Sequence, residues 1–192
     1  LELIAITATG TNIIDLDYCK KNSIAVCNLR NYASTSVAEH VFALMLILSK
    51  NIKGLAEDIE KEIWQKKRVF ALLSRQINDL NGKTLGIIGY GRIGKKICPI
   101  LEKMGAKIYI YDVKKSIVPR KKYKTLKQLL KASDILSFHI PLNSENKNII
   151  GKNVINHLKE NMILINTSRG EIFDERQLFK KIIKSNIFYA TD

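Results

Sequence analysis

The chain has 192 residues, of which 46% are hydrophobic, enough for one full domain with its own core and part of a second. Its net charge of +14 is compatible with a nucleic-acid or anionic-membrane partner. However, the basic residues are mostly lysines scattered in ones and twos, and the densest run, PRKKYK at 119–124, lacks clustered arginines with interleaved aromatics. We therefore favour a solvated, lysine-rich surface and expect neither a nucleic-acid nor a membrane partner.

The three cysteines have no pair spacing and only three histidines are present, so we expect neither a disulfide framework nor a metal site. Free thiols suit a reducing, cytoplasmic setting. The longest apolar run, VFALMLILS at 41–49, is too short to span a bilayer. Because the chain begins at Leu1 on a strand-like stretch and ends on another, we expect a segment of a longer protein.

The first part of the chain predicts a small strand–helix–strand unit followed by a long helix. Its strand-like and helical stretches are, in order, LIAITA, IDLDYCKKN and IAVCN. The run SVAEHVFALMLILSKNI at 36–52 predicts a buried helix. Ser36 and Glu39 have the spacing of a capping box, in which each side chain satisfies a backbone N–H at the helix start.

The remainder divides into an irregular region and a regular one. Residues 53–82 are polar and are predicted to be irregular, with Trp64 and Phe70 as isolated anchors. From Thr84, apolar strands alternate with helices, as expected when helices cover both faces of a parallel sheet. The predicted strands are LGIIG, KIYIY, ILSFHI, MILINT and IFYATD, and the predicted helices are RIGKKICPILEKM, TLKQLLKA, GKNVINHLK and DERQLFKKIIK. Pro99 inside the first of these helices predicts a kink or a shortened helix.

Three glycines connect the first strand of this region to its first helix. Gly89, Gly91 and Gly94 fit the pattern G-x-G-x-x-G, which is weak alone but gains weight between a strand and a helix. The first glycine permits a tight turn, the second lets the backbone approach a pyrophosphate, and the third lets helix and strand pack closely. The phosphates would lie at the positive end of the helix dipole. The alternative is a plain turn.

Asp112 provides a second test, because it ends the next strand, 18 residues beyond Gly94. A carboxylate at this point can accept hydrogen bonds from the ribose hydroxyls of an adenosine. It would also repel a ribose 2′-phosphate, which favours NAD over NADP, although Lys114 and Lys115 soften that preference. The alternative for Asp112 is a solvated loop acid. We therefore predict a Rossmann-type, doubly wound parallel α/β sheet that binds NAD.

Several segments resemble the D-isomer-specific 2-hydroxyacid dehydrogenases, and together with the glycine pattern they follow the order of that family. They are TATGTNIIDLDYCKKNSIAVCN, STSVAEHVFALML, SFHIPLN and NTSRGEIFDERQL. Within the family, NYASTSVAEHVFAL and IAVCN look most like the glycerate dehydrogenase or hydroxypyruvate reductase group. The resemblance implies that residues 1–34 are the C-terminal remnant of a flavodoxin-like substrate domain. It further implies an interdomain helix at 35–52, an incomplete NAD-binding Rossmann domain at 53–192, and a homodimer.

The resemblance also implies a role for each matching site residue. Arg169 matches the catalytic arginine that grips the substrate carboxylate, a role that suits the planar donor fork of a guanidinium. Its alternative is a surface ion pair. The implied cofactor contacts are Thr11, Gly89, Gly91, Arg92, Ile93, Gly94, Asp112, Ile140, Pro141, Asn146, Thr167, Ser168, Arg169 and Asp192.

The family's acid–base pair, a histidine held by a glutamate, is expected beyond Asp192, so we expect the chain alone to be inactive. His139 is interpreted as structural or cofactor-adjacent, His40 as a packing residue and His157 as a surface residue. The implied reaction is hydride transfer between NAD and a small D-2-hydroxy or 2-oxo acid of the hydroxypyruvate, glyoxylate or phosphoglycerate type. One alternative is an NAD-sensing, corepressor-like binding protein of the same fold. Another, a nicotinamide-binding domain from an unrelated oxidoreductase, is disfavoured by NTSRGEIFDE.

Overall fold

The computed structural model describes residues 1–143 and 145–192. The described chain divides into two compact units, Leu1–Ser36 and Val37–Asp192. The first unit contains two parallel strands and the helix that joins them, as the sequence predicts: β1 (Leu3–Ile6), α1 (Leu16–Lys21) and β2 (Ala25–Asn28). Helix α1 begins at a side-chain cap, because Asp15 accepts a hydrogen bond from the backbone N of Tyr18 at 2.8 Å.

Helix α2 spans Ser34–Ser49 and confirms the long helix predicted from the sequence. Its buried positions follow one side at helical spacing: Ala38, Val41, Met45 and Ser49. The predicted capping box is wrong, because the helix begins two residues before Ser36. A capping residue needs non-helical backbone angles, and Ser36 lies within the first turn.

Two further helices, α3 (Ile52–Glu60) and α4 (Ile63–Lys67), occupy part of the region predicted to be irregular. Hydrophobic periodicity does not predict helix α3, because its buried residues are Gly54 and Asp58 and not large apolar residues. Asp58 accepts hydrogen bonds from the Arg75 guanidinium at 2.7 and 3.0 Å and from Ser74 Oγ at 2.6 Å.

Gly54 leaves room for this ion pair, since a Cβ there would lie 3.2 Å from the guanidinium carbon of Arg75. Trp64 and Phe70, which the sequence predicts to be anchors, are not buried within the described chain. Their side chains are 44% and 100% exposed. The indole N–H of Trp64 instead donates to the Val69 carbonyl at 2.7 Å.

The second unit contains the predicted five-stranded parallel sheet, in the order β4-β3-β5-β6-β7. The strands are β3 (Thr84–Ile88), β4 (Lys107–Tyr111), β5 (Ile135–Phe138), β6 (Ile163–Asn166) and β7 (Phe188–Thr191). The connecting helices are α5 (Arg92–Lys103), α6 (Leu126–Ala132), α7 (Lys152–Ile155) and α8 (Glu175–Ser185). Helix α5 continues one turn beyond Pro99, so the predicted shortening does not occur.

A single bridge extends the sheet past β4. Ile110 pairs in parallel with Tyr123, through N–H···O bonds of 2.9 Å from Ile110 to Lys122 and from Lys124 to Ile110. Position 123 therefore serves as a one-residue third strand. Counted with it, the order becomes 3-2-1-4-5-6, that of dinucleotide-binding sheets.

The three central strands, β3, β5 and β6, are buried on both faces, whereas the outer strands β4 and β7 are partly exposed. On one face, α2 and α5 cover a cluster that includes Val41, Ile87 and Ile97, while α6, α7 and α8 cover the other around Leu129 and Phe138. This double burial explains why the central strands appear in the sequence as continuous apolar runs.

No helix within residues 1–143 and 145–192 has both the length and the apolar character needed to cross a membrane. Over the same residues, the side chains of His, Cys, Asp and Glu do not gather into a group of three or more that could hold a metal ion. The three cysteines, all within the described residues, are free thiols.

Candidate functional site

The candidate site lies at the carboxyl edge of the sheet, defined as the edge where β3 to β7 end, and its centre is the glycine loop (residues 89–94). Gly89 has φ +97°, a conformation that favours glycine, and a Cβ there would lie 2.6 Å from the carbonyl oxygen of His139. A Cβ at Gly94 would lie 2.5 Å from the Gly89 carbonyl oxygen. The fold itself therefore requires the first and third glycines.

Gly91 is different. Its φ of −77° suits any residue, and a Cβ there would meet no atom of the described residues within 4 Å. It is the N-cap residue of α5, and no side chain in the described part of the chain caps that helix. The backbone N–H groups of the first turn thus have no hydrogen-bond partner among the described residues, and they lie at the positive end of a 12-residue helix. Open space beside free donors fits a bound pyrophosphate.

Asp112 follows β4 and is tied to the glycine loop. One carboxylate oxygen accepts a hydrogen bond from the backbone N of Tyr90 and the other from the backbone N of Lys114, each at 2.8 Å. Each oxygen keeps a further lone pair for a ligand hydroxyl. The carboxylate therefore has a fixed direction and also stabilises the loop, a second task that the sequence did not reveal.

His139 follows β5 and lies next to the glycine loop. Its backbone N donates to the Ile88 carbonyl at 2.7 Å, and its Nε2 lies 2.9 Å from Ser137 Oγ. Its Nδ1 is buried and has no hydrogen-bond partner among the described residues. Burial lowers the pKa of His139 to about 4. The imidazole is therefore neutral near pH 7, which fits a structural or cofactor-adjacent group better than a proton carrier.

The loop after β5 contains Ile140, Pro141 and Asn146. Ile140 is half-buried against the glycine loop, and its Cγ2 would lie 3.0 Å from a Cβ at Gly89. The Asn146 side chain holds the loop closed, because its oxygen accepts from Asn143 N at 2.7 Å and its amide donates to the Pro141 carbonyl. Asn146 thus shapes this wall through its own loop.

The turn after β6 contains Thr167, Ser168 and Arg169. The Thr167 hydroxyl is buried and finds no hydrogen-bond partner in the described residues. Arg169 is exposed, and its Nη1 donates to the Ser168 carbonyl at 2.7 Å. Asn166 organises this turn and was missed by the sequence analysis. The sequence feature that could have indicated Asn166 is its position at the start of NTSRG, immediately before the three residues that match the family.

The remaining predicted site residues belong to several different elements. Arg92 and Ile93 open α5, and Asp192 follows β7 and is exposed. Thr11 belongs to the first unit, where its carbonyl accepts from Ile14 N at 3.0 Å. His40 lies on α2 and is exposed, so it is not the packing residue that the sequence predicts, whereas His157 follows α7 and is exposed as predicted.

The strand order, the glycine loop and the ordered carboxylate after β4 define a dinucleotide-binding domain of the Rossmann type. Residues 42–192 match the family model described as "D-isomer specific 2-hydroxyacid dehydrogenase, NAD binding domain". The chain belongs to this family and carries its NAD-binding domain.

Relatives and solved structures agree with this assignment. The chain is 39% identical over 182 residues to a glycerate dehydrogenase of Methylorubrum extorquens, covering 95% of this chain and 57% of the relative. It is 33% identical over 191 residues to a hydroxypyruvate reductase of Thermotoga maritima, covering 99% and 60%. A D-lactate dehydrogenase from Aquifex aeolicus, solved with NAD and lactic acid, superposes with a TM-score of 0.84 at 36% identity, covering 100% of this chain and 57% of that one. The chain thus spans little more than half the length of these relatives.

Proposed function

We propose that the protein is an NAD-dependent oxidoreductase that transfers a hydride between nicotinamide and a small D-2-hydroxy or 2-oxo acid. The observation that carries the proposal is the placement of Gly91 and Arg169 at one sheet edge. Gly91 offers free donors and open space to a pyrophosphate, and Arg169 offers an exposed guanidinium to a carboxylate. Substrates of the hydroxypyruvate, glyoxylate or phosphoglycerate type fit this pairing of groups.

The residues of this chain have three tasks in that reaction. The start of α5, at Arg92 and Ile93, binds the phosphates, and Asp112 accepts from the adenosine ribose. Further cofactor contacts are assigned to Thr11, Ile140, Pro141, Asn146, Thr167, Ser168 and Asp192. Arg169 holds the substrate carboxylate and polarises its carbonyl or hydroxyl, so that the reacting carbon is aligned.

Bound NAD supplies the hydride chemistry itself. Proton transfer needs a group with a pKa near the working pH. His139 has a pKa of about 4, and no histidine of the described residues forms an ion pair with a carboxylate. We therefore assign the proton transfer to none of them.

We further propose a cytoplasmic homodimer in which the interdomain helix and residues 53–82 pack against the partner. This region exposes an unusual set of large apolar side chains, which would be unfavourable in water if they stayed uncovered. They are Ile59, Trp64, Val69, Phe70, Leu73 and Ile77. We keep residues 1–34 as a substrate-domain remnant and 35–52 as the interdomain helix.

The test is NADH oxidation by the full-length enzyme with hydroxypyruvate, glyoxylate and pyruvate, beside its Arg169→Ala and Arg169→Lys variants. Removing one partner of a charge-assisted contact costs about 2.7 kcal/mol or more, so Arg169→Ala should lower kcat/KM at least about a hundredfold. Arg169→Lys keeps the charge but loses the planar fork, so its kcat/KM should lie between those of the native enzyme and Arg169→Ala. Unchanged kcat/KM in Arg169→Ala would overturn the proposal.

A further inference from the structure

Asn166 is the last residue of β6 and is held in the sheet from both sides. It is 1% exposed and lies opposite Phe138 of β5 and Thr191 of β7. Its carbonyl accepts a hydrogen bond from Thr191 Oγ1 at 2.9 Å. The backbone from which its side chain extends is therefore rigid.

The side-chain amide of Asn166 uses all of its hydrogen-bonding capacity. Its oxygen accepts from the backbone N of Ser168 at 3.1 Å and from Ser168 Oγ at 2.6 Å. Its nitrogen donates to the Arg169 carbonyl at 3.0 Å and, more weakly, to the Tyr189 hydroxyl at 3.5 Å. An amide offers two lone pairs and two N–H groups, so none is left over. The orientation is also fixed, since a backbone N–H can only donate and a carbonyl can only accept.

These bonds fix the backbone of Arg169 and also the position of the carbonyl group to which its guanidinium is hydrogen-bonded. The carbonyl of Arg169 is held by Asn166, with the residue extended at φ −148° and ψ 143°. The carbonyl of Ser168, which receives Arg169 Nη1 at 2.7 Å, belongs to the same turn. An exposed arginine loses much rotamer freedom when it binds a ligand, and holding both ends of the side chain lowers that cost.

We propose that Asn166 is the positioning residue for Arg169 and that it sets the selectivity of the site for a carboxylate over its neutral amide counterpart. The inference rests on the proposed function of Arg169 as the carboxylate-binding group. Asn166 acts through the Ser168–Arg169 turn and does not touch the substrate. Its loss should weaken recognition of the negative charge while the cofactor site at α5 stays intact.

The test uses the full-length enzyme in complex with NADH and compares its affinity for oxamate and oxamide, which differ by a carboxylate against an amide. Asn166→Asp is the main variant, because it keeps the shape and the two bonds to Ser168. It turns a carboxylate oxygen toward the Arg169 carbonyl, where an N–H had been. Asn166→Ala is the second variant, and Asn166→Asp decides alone if the alanine variant fails to fold. Thr191→Val is the matched control, because it removes the hydroxyl bonds to the backbone carbonyls of Asn166 and Asp192 and leaves all four side-chain bonds of Asn166 in place.

We expect the ratio of oxamate to oxamide affinity to fall at least tenfold in Asn166→Asp and Asn166→Ala, with NAD affinity within about twofold of the native value. Thr191→Val should leave the ratio unchanged. An unchanged ratio in Asn166→Asp, or a loss that NAD affinity shares equally, would overturn the inference. Arg169→Ala separates the two proposals. If it abolishes the preference for oxamate while the Asn166 variants keep it, only this inference fails, and if it too keeps the preference, the proposed function fails and this inference with it.

Discussion

The two edges of the sheet differ in how their polar groups are used. At the amino edge, where the strands begin, a cavity of about 270 Å³ is lined by polar residues, but many of these are already paired with one another. Asp134 accepts from Thr84 N at 2.9 Å and pairs with Lys159, while Asn186 donates to Asn161 at 2.7 Å. At the carboxyl edge, by contrast, the first turn of α5 and the side chains of His139 and Thr167 contain polar groups that have no hydrogen-bond partner within residues 1–143 and 145–192.

The contrast shows that concavity alone does not mark the functional site of this domain. Polar groups that satisfy each other stabilise the fold, and a ligand would have to break their bonds to bind. A ligand that binds the unpaired groups at the carboxyl ends of the strands does not have to break such bonds. The open parallel sheet therefore provides its binding site at the carboxyl edge. Substitutions at the two edges should consequently have different effects on stability and on NAD affinity.

The largest effect is expected for Gly89→Ala in the glycine loop. The new Cβ would lie 2.6 Å from the His139 carbonyl oxygen at a φ of +97°, so both steric clash and backbone strain act. We expect a loss of about 3 kcal/mol or more in the free energy of unfolding, measured by urea denaturation. Gly82→Ala is the control, since its φ is +75° but a Cβ there would meet no described atom within 4 Å. Equal losses in both variants would contradict the packing role of Gly89.

His139 should make stability depend on pH. Its folded-state pKa of about 4 lies below the ordinary value of 6.5, so folding favours the neutral form. The contribution is fully present above pH 6.5 and is lost as pH falls toward 4, by up to about 3 kcal/mol. His139→Gln cannot titrate, and its urea midpoint should change less than that of the native protein over this range. Parallel pH profiles would show that His139 is not the responsible group.

Asp112 should discriminate between the two nicotinamide cofactors. A carboxylate held in a fixed direction repels a 2′-phosphate, so the full-length protein should bind NAD at least about tenfold tighter than NADP, or about 1.4 kcal/mol. Asp112→Ala should narrow that difference. It should also weaken NAD binding, because the backbone N of Tyr90 loses its acceptor. Fluorescence titration at moderate salt measures both affinities, and equal affinities in the native protein would contradict the assignment.

The smallest effect is expected at the amino edge, for Asp134→Ala. The Thr84 N–H would lose an acceptor in a half-exposed position, at a cost of about 1 kcal/mol in the free energy of unfolding. NAD affinity should not change, because the residue lies across the sheet from the glycine loop. A clear loss of NAD affinity in Asp134→Ala without a loss of stability would contradict the assignment of a structural role to the amino edge and of ligand binding to the carboxyl edge.

The sequence predicts the sheet well because its three central strands are buried on both faces, so each of them appears as an apolar run. It also predicts Gly89, Gly91, Gly94 and Asp112, since their spacing is local. Helix α3 is missed because burial there serves the pair of Asp58 with Arg75, 17 residues away. Neither the desolvation of His139 nor the four bonds of Asn166 could be read from the sequence, because both depend on neighbouring strands and turns.

The most direct test of the account is Gly91→Ala, examined for NAD affinity and thermal midpoint in the same protein. Since φ is −77° and a Cβ would meet no described protein atom within 4 Å, the substitution should lower the midpoint only slightly, because alanine is a poorer N-cap residue than glycine. If the space beside Gly91 receives a pyrophosphate, NAD affinity should fall at least about tenfold, or 1.4 kcal/mol. Native NAD affinity in this variant, or a drop in midpoint like that of Gly89→Ala, would contradict a cofactor site at the glycine loop.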